Sequence, residues 1–259
     1  MPIITKGFSL IELMVALFIS FLLLAIMFKA IELVNASGDT QVGFSNMELN
    51  ALQVMVALKK QIVYAGFMGC YDLNQNKAIL NHTGLTSDTV SRSQALNIQK
   101  NSITILRVAQ LERLSASMDD RTSLVVRALG GFKKKSVVVV GDCQSIEVDR
   151  IASIRKVRGQ NLYRILLTKP LSVKYNATAT IALLLRFHYF LKPVSYDRNI
   201  TALFVEDINR RNHELVPYLT RLRFDSYKEK AVIVYFSVVD PKERLSSKWQ
   251  YVIPILKNH

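Results

Sequence analysis

Along the chain the hydrophobic pattern changes its period twice. Residues 8–28 read FSLIELMVALFISFLLLAIMF, an apolar run interrupted by one charge, Glu12, and two serines. At about 1.5 Å per residue this run makes roughly 31 Å of helix, close to the thickness of a bilayer's hydrocarbon core. Farther on, Phe44, Met47, Ala51, Leu52, Met55, Leu58, Ile62 and Ala65 recur mostly at three- and four-residue steps. That spacing predicts an amphipathic helix. Between the two, Asn35-Ala36-Ser37-Gly38-Asp39 interrupts the pattern and is expected to kink or loosen the rod. A continuous helix over 8–66 would reach about 88 Å, a length that no isolated globular domain requires.

Past Gly66 the period shortens. Segments 102–108, 136–140, 162–167, 180–191, 201–205, 219–224 and 231–239 are rich in Val, Ile, Leu and aromatic residues. Gly, Asn, Asp and Lys separate them, so they are predicted to be strands. Arg221-Leu222-Arg223-Phe224 alternates as a strand with one wet face does. A helix is expected over 108–118. The predicted fold class is α+β: a long N-terminal helix, half membrane-spanning and half amphipathic, packed on an antiparallel β-sheet domain. No internal repeat or low-complexity segment is visible.

Composition narrows the class. With 259 residues, half of them apolar and 21% charged, the chain can bury a core and is not a disordered protein. Its net charge of +14 attracts polyanions. The cations are scattered, however, with small clusters at Lys133-Lys134-Lys135, around Arg155 and Arg158, and at Arg210-Arg211. A solvated basic surface accounts for them. Two cysteines, Cys70 and Cys143, are too few for a disulfide scaffold and lack metal-ligand spacing. Whether they pair depends on the compartment.

The N-terminal run is longer than the apolar core of a secretory signal peptide, and no A-x-A cleavage pattern follows it. Lys6 precedes it and Lys29 follows, so charge alone leaves the orientation open. A plain anchor does not explain Glu12, because an ionisable group at membrane depth costs a few kcal/mol and normally has a function or a partner. The stretch Lys6-Gly7-Phe8-Ser9-Leu10-Ile11-Glu12-Leu13 resembles the K/R-G-F-[ST]-L-[IV]-E-[LM] signature of type IV pilins and type II secretion pseudopilins.

The resemblance implies a pilin-like fold and a sequence of events. Prepilin peptidase would cut after Gly7, removing a leader of residues 1–7, and N-methylate Phe8. Glycine before the cut lets a protease approach the backbone closely. Glu12, the fifth mature residue, can pair with the terminal amine of a neighbouring subunit's Phe8, and a buried charge at fixed depth selects a register. The implied organisation is a filament-core helix over 8–28, its amphipathic continuation over 29–66, and a periplasmic sheet domain over 67–259. The protein would sit in the inner membrane as a single-pass species and then enter a pilus at the cell surface. Its implied partners are prepilin peptidase, other minor and major pilins, and the inner-membrane assembly platform. Lys29 stands where major pilins commonly carry a helix-bending proline.

Within that group the chain resembles the PilW family of minor pilins. The matching features are Ala65-Gly66-Phe67-Met68-Gly69-Cys70, Asp142-Cys143, Glu214-Leu215-Val216 with Leu222-Arg223-Phe224, and Trp249 before a final apolar strand. Export implies an oxidising compartment and a Cys70–Cys143 disulfide stapling sheet to helix, worth about 2–4 kcal/mol. The function implied is priming or support of type IV pilus assembly at or near the tip. A minor pseudopilin of type II secretion is the alternative within the same machinery.

Other chemistry is sparse. His82, His188, His213 and His259 lie far apart without H-E-x-x-H spacing, and His188 in its apolar run reads as a packing residue. There is no nucleophile elbow and no phosphate-cradling loop, so neither an enzyme nor a cofactor or metal is expected. Lys133, Lys134 and Lys135 follow Gly130-Gly131 and form a candidate anion contact on a loop tip. Nucleic acid is therefore a possible partner, and a DNA- or surface-binding module a third reading. The tract lacks interleaved aromatics for stacking.

Overall fold

The computed structural model describes residues 10–68, 71–72, 95–128, 130–142, 144–228, 230–242 and 245–255. One helix, α1 (Leu10–Val63), runs 54 residues without a break, roughly 81 Å at the α-helical rise. The expected interruption at 35–39 is absent: Gly38 and its neighbours are helical. Intrinsic helix propensity there is poor, but each residue costs only a fraction of a kcal/mol, up to about 1 for glycine. Two side-chain contacts lie in this stretch, both exposed and each worth little. The Thr40 hydroxyl donates to the Ala36 carbonyl at 2.9 Å, and Lys242 Nζ reaches Asp39 Oδ2 at 2.8 Å.

The remainder is antiparallel β-structure, so the class is α+β as expected. A short pair, β1 (Phe67–Met68) and β2 (Tyr71–Asp72), follows the helix. Nine strands then share a sheet: β3 (Leu96–Gln99), β4 (Ser102–Arg113), β5 (Ser123–Val126), β6 (Val137–Gly141), β7 (Ile146–Lys156), β8 (Tyr163–Leu167), β9 (Thr180–Pro193), β10 (Thr201–Glu206) and β11 (Asn212–Pro217). A separate three-stranded sheet orders β12 (Leu219–Tyr227), β13 (Ala231–Val239) and β14 (Ser246–Pro254).

The long strand β9 organises the large sheet. One edge pairs with β4 from Thr180 to Phe190. Its other edge is divided: Thr180 to Leu183 pair with β6, and His188 to Pro193 pair with β10. Similarly, β7 pairs with β6 over 146–150 and with β8 from Ile151 on, that second ladder shifting register between Ile151 and Ser153. Such bulges turn a strand from one partner to another.

The expected helix over 108–118 is instead the end of β4, with Leu114 in a bridge to Val126. Its ladder with β9 shifts between Ala109 and Glu112, and Gln110 takes a positive φ of 52°. The extra bulge residues break the alternation of period two, which is why the pattern there loses its strand signature.

Two apolar cores result. The larger joins the helix to both sheets. The smaller lies on the far side of β6, around Leu124, Ile151, Ile165 and Tyr175. Val137 and Val139 enter the first core, and Val138 and Val140 the second. A strand buried on both faces reads as an unbroken apolar run, as β6 does. On β7, buried Glu147 and Asp149 accept backbone N–H groups of Ser172 and Lys169, each at 2.8 Å, so burial does not leave these carboxylates unsatisfied.

Tyr175 donates to Glu147 Oε1 at 3.3 Å. Burial foremost, together with the Glu147 charge, pushes its phenol well above the usual range. Burial pushes Tyr189 up to about 12, with the Arg107 charge opposing. Both folded pKa values exceed the unfolded value of about 10, so their contribution to stability is complete below pH 10 and is lost as pH rises toward the folded values. Urea unfolding followed from pH 9 to about pH 12 is therefore expected to show stability falling above about pH 10. A flat profile would contradict the burial of these phenols.

Candidate functional site

Every residue over 10–42 of α1 is exposed. The helix is long and apolar enough to cross a membrane, and its apolar window is not buried by the rest of the chain. Within this part the Ser20 hydroxyl donates to the Ala16 carbonyl at 2.8 Å. That internal bond satisfies a polar group in surroundings that offer no water. Lys29 and Glu32 pair at 2.9 Å but are largely exposed, so the pair adds little stability.

From Gly43 the helix docks. Gly43, Met47, Ala51, Val54, Leu58 and Ile62 are buried, at steps of four and three. They pack on β14, β11, β13 and β4. Part of this seat is aromatic, where Phe236 stacks on Tyr251 at 5.9 Å and Trp249 lies 6.4 Å from Tyr251. At the start of the docked half, Gly43 faces the turn after β13, and an added Cβ would meet Asp240 Oδ2 and Leu245 Cδ1 at 3.4 Å. Asp240 is buried and holds this turn by accepting the Leu245 N–H at 2.8 Å.

At the other end, Gly66 adopts φ 72° and donates its N–H to the Leu106 carbonyl at 2.9 Å, a conformation glycine takes without strain. Arg107 donates to Gln61 Oε1 at 3.1 Å and lies over the Tyr64 ring at 5.9 Å. A cation there also complements the negative end of the helix dipole.

The buried stripe is narrower than the pattern suggested. Met47, Ala51, Leu58, Ile62 and Ala65 are buried as expected, but Phe44 is 54% exposed and Leu52 42%. Gly43 and Val54 take the inward positions instead. Val42, Leu49, Leu52 and Val56 share the side turned away from the sheets, and Val56 is 65% exposed. An apolar surface thus continues from the projecting half down the outside of the docked half, where an ordinary surface helix would be polar.

Of the residues singled out in the sequence, Glu12 lies exposed in the first turn of α1, where a carboxylate complements the helix dipole. Gly7, Phe8, Cys70, Cys143, His82 and His259 lie outside the described residues. Asp142 Oδ1 accepts the backbone N–H groups of Gln144 and Ser145 at 2.8 and 2.9 Å, shaping the turn between β6 and β7. Lys133, Lys134 and Lys135 are exposed on a turn held by the Lys135 N–H to the Ile151 carbonyl at 2.8 Å. The adjoining Phe132 is buried, so it cannot serve the tract as a stacking ring. His188 is half-buried and its Nδ1 lies 2.9 Å from the Thr104 hydroxyl. Burial, and next the Arg186 charge, hold its pKa below the usual histidine value. Among the described residues no cluster of three or more His, Cys, Asp or Glu could hold a metal ion.

Residues 5–28 match the family described as the prokaryotic N-terminal methylation motif. No curated protein and no solved structure matches the chain. The motif indicates a pilin- or pseudopilin-type substrate of prepilin peptidase and implies assembly with other pilins. The apolar helix agrees with anchoring in a membrane before entry into a filament.

The two faces of the docked helix are expected to respond oppositely to mutation. Leu58→Ala should cost about 2–5 kcal/mol through the cavity it leaves. Leu52→Ala should stay within about 1 kcal/mol. Denaturant unfolding of detergent-solubilised protein measures both, and equal losses would contradict the assignment of faces.

Proposed function

We propose that the protein is a minor pilin of PilW type that primes or supports type IV pilus assembly at or near the filament tip. The observation carrying this reading is the exposed apolar run of α1 over 10–28, from which a narrower line of exposed apolar residues continues through Ile31, Val34, Val42, Leu49, Leu52 and Val56. Water is a poor solvent for such a surface. Lipid covers its first part before extraction, and neighbouring helices cover its whole length afterwards.

The chemistry of the N-terminus completes the proposal. Cleavage after Gly7 exposes Phe8, whose amine is methylated and pairs with Glu12 of an adjacent subunit. Apolar side chains slide past one another with little preference, whereas a carboxylate and an amine at fixed depth favour one axial stagger. The β-domain faces the periplasm, where Cys70 and Cys143 form a disulfide tying the segment after the helix to the turn before β7. The assembly platform in the inner membrane extracts the processed subunit. The methylation motif equally suits a type II secretion pseudopilin, and deletion of the gene discriminates: loss of pili with secretion intact favours the pilus.

Glu12→Ala is expected to be cleaved and inserted like the parent yet to fail in supporting piliation, as scored by electron microscopy and by processing on gels. Normal pili in that variant would overturn the register role. For the cysteines, the intact mass should not change on alkylation without reductant and should rise by two alkyl groups after reduction. Two groups added before reduction would exclude the disulfide.

A further inference from the structure

The sequence offered Lys133, Lys134 and Lys135 as an anion contact without a ring to stack on, yet the tertiary structure brings cations and rings together elsewhere. An open groove of about 720 Å³ lies between the β3–β4 turn and β12, within the roughly 300–1,000 Å³ of ligand clefts. His188 and Phe190 of β9 line it, stacked on each other at 5.1 Å with 25° between the rings. Phe204 backs Phe190 at 6.2 Å across the β9–β10 ladder.

The rim is cationic. Lys100 comes from the turn, and Arg221 and Arg223 from β12; all three are exposed. Arg223 is held in place by Asp225 at 3.0 Å and by the Tyr235 ring at 5.9 Å. Lys100 and Arg221 form no ion pair among the described residues. No described lining residue is acidic. Exposed Gln99 and Asn101 add amide donors and acceptors beside the rings. The walls are tied together, because the Phe224 N–H donates to the Lys100 carbonyl at 3.2 Å. The pairing that exposes Arg221 and Arg223 on one face of β12 therefore also fixes their position beside the aromatic floor.

We propose that this groove binds single-stranded nucleic acid, with Phe190 and His188 stacking on bases and Lys100, Arg221 and Arg223 contacting phosphates. Rings alone would suit many apolar ligands, and cations alone any polyanion. Their combination suits a strand that alternates flat bases with phosphates. A duplex hides its base faces within the stack and gains only the phosphate contacts.

The test uses the full chain in detergent micelles and fluorescence anisotropy. Its probes are a labelled oligothymidylate of about 12 nucleotides, a span typical of single-strand sites, a duplex of equal length, and heparin as a polyanion without bases. The single strand is expected to bind more tightly than the duplex. Phe190→Ala should weaken oligothymidylate binding about tenfold or more and leave heparin unaffected. The double variant Lys100→Ala with Arg221→Ala should lower the salt slope by about 1.4. Because Phe190→Ala can disturb folding, exposed Arg221→Glu provides a second variant, expected to lose affinity with an unchanged circular dichroism spectrum. Three results would each overturn the proposal: no oligothymidylate binding, equal affinity in the parent and a folded Phe190→Ala or Arg221→Glu variant, or loss only when Lys133, Lys134 and Lys135 are replaced by alanine. Binding of heparin alone would show a polyanion surface and overturn it as well.

Discussion

Burial of one narrow stripe of α1 against the β-domain sets the conditions for everything else in this protein. Gly43, Met47, Ala51, Val54, Leu58 and Ile62 are the helix residues sealed into the core. At about 25 cal/mol per Å² of apolar surface, a few such side chains hold a helix firmly to a sheet. The same contact ends abruptly at Gly43. Residues before it have no sheet to meet, so one rigid rod is half component of a domain and half projection. Gly43 marks that boundary because the turn around Asp240 comes close to the backbone there, and Lys242 reaches one helical turn farther to Asp39.

The β-domain is built to hold that rod without depending on it alone. Its second core, around Leu124, Ile165 and Tyr175, contains no helix residue. The sheet connects the two cores through β6, whose four valines alternate between them. In the proposed filament subunit the outer surface of α1 would pass from lipid to protein surroundings, while this second core lies away from the helix. An apolar surface exposed on this scale is one that a membrane or a partner covers, which agrees with the proposed role.

Much of the helix was legible because helix signals are local. Hydropathy over 8–28 and the spacing after Phe44 depend only on neighbours along the chain. Across 35–39, where a kink or loosening was expected, the helix runs on unbroken, because weak local propensity yields to hydrogen bonding through a continuous helix. Choosing the buried stripe was harder. Phe44 and Leu52 are as hydrophobic as Val54, and Gly43, with no side chain, scarcely registers as an inward residue. Strands fared in the same way. Those with strong apolar runs, such as β6, β9 and β13, stood out, as did the first half of β4, whereas the bulge at Gln110 disguised its second half. β7 opens with the alternation Ile146-Glu147-Val148-Asp149 but loses it around the register shift between Ile151 and Ser153, and β11 is short and largely polar, so neither stood out.

What the sequence by itself determined was the N-terminal signal: the methylation motif over 5–28, the single acid of the apolar run over 8–28, and the α+β class. These depend on the order of residues in one short segment, which a peptidase or a bilayer meets directly. The tertiary structure decided which helix face remains available, that β9 divides its edge between β6 and β10, and that Lys100, His188, Phe190 and Arg221 meet around one groove. Those residues are separated by up to 121 positions and come together only through strand pairing. Register across a sheet is a long-range property, and a shift of one residue would send every side chain to the other face.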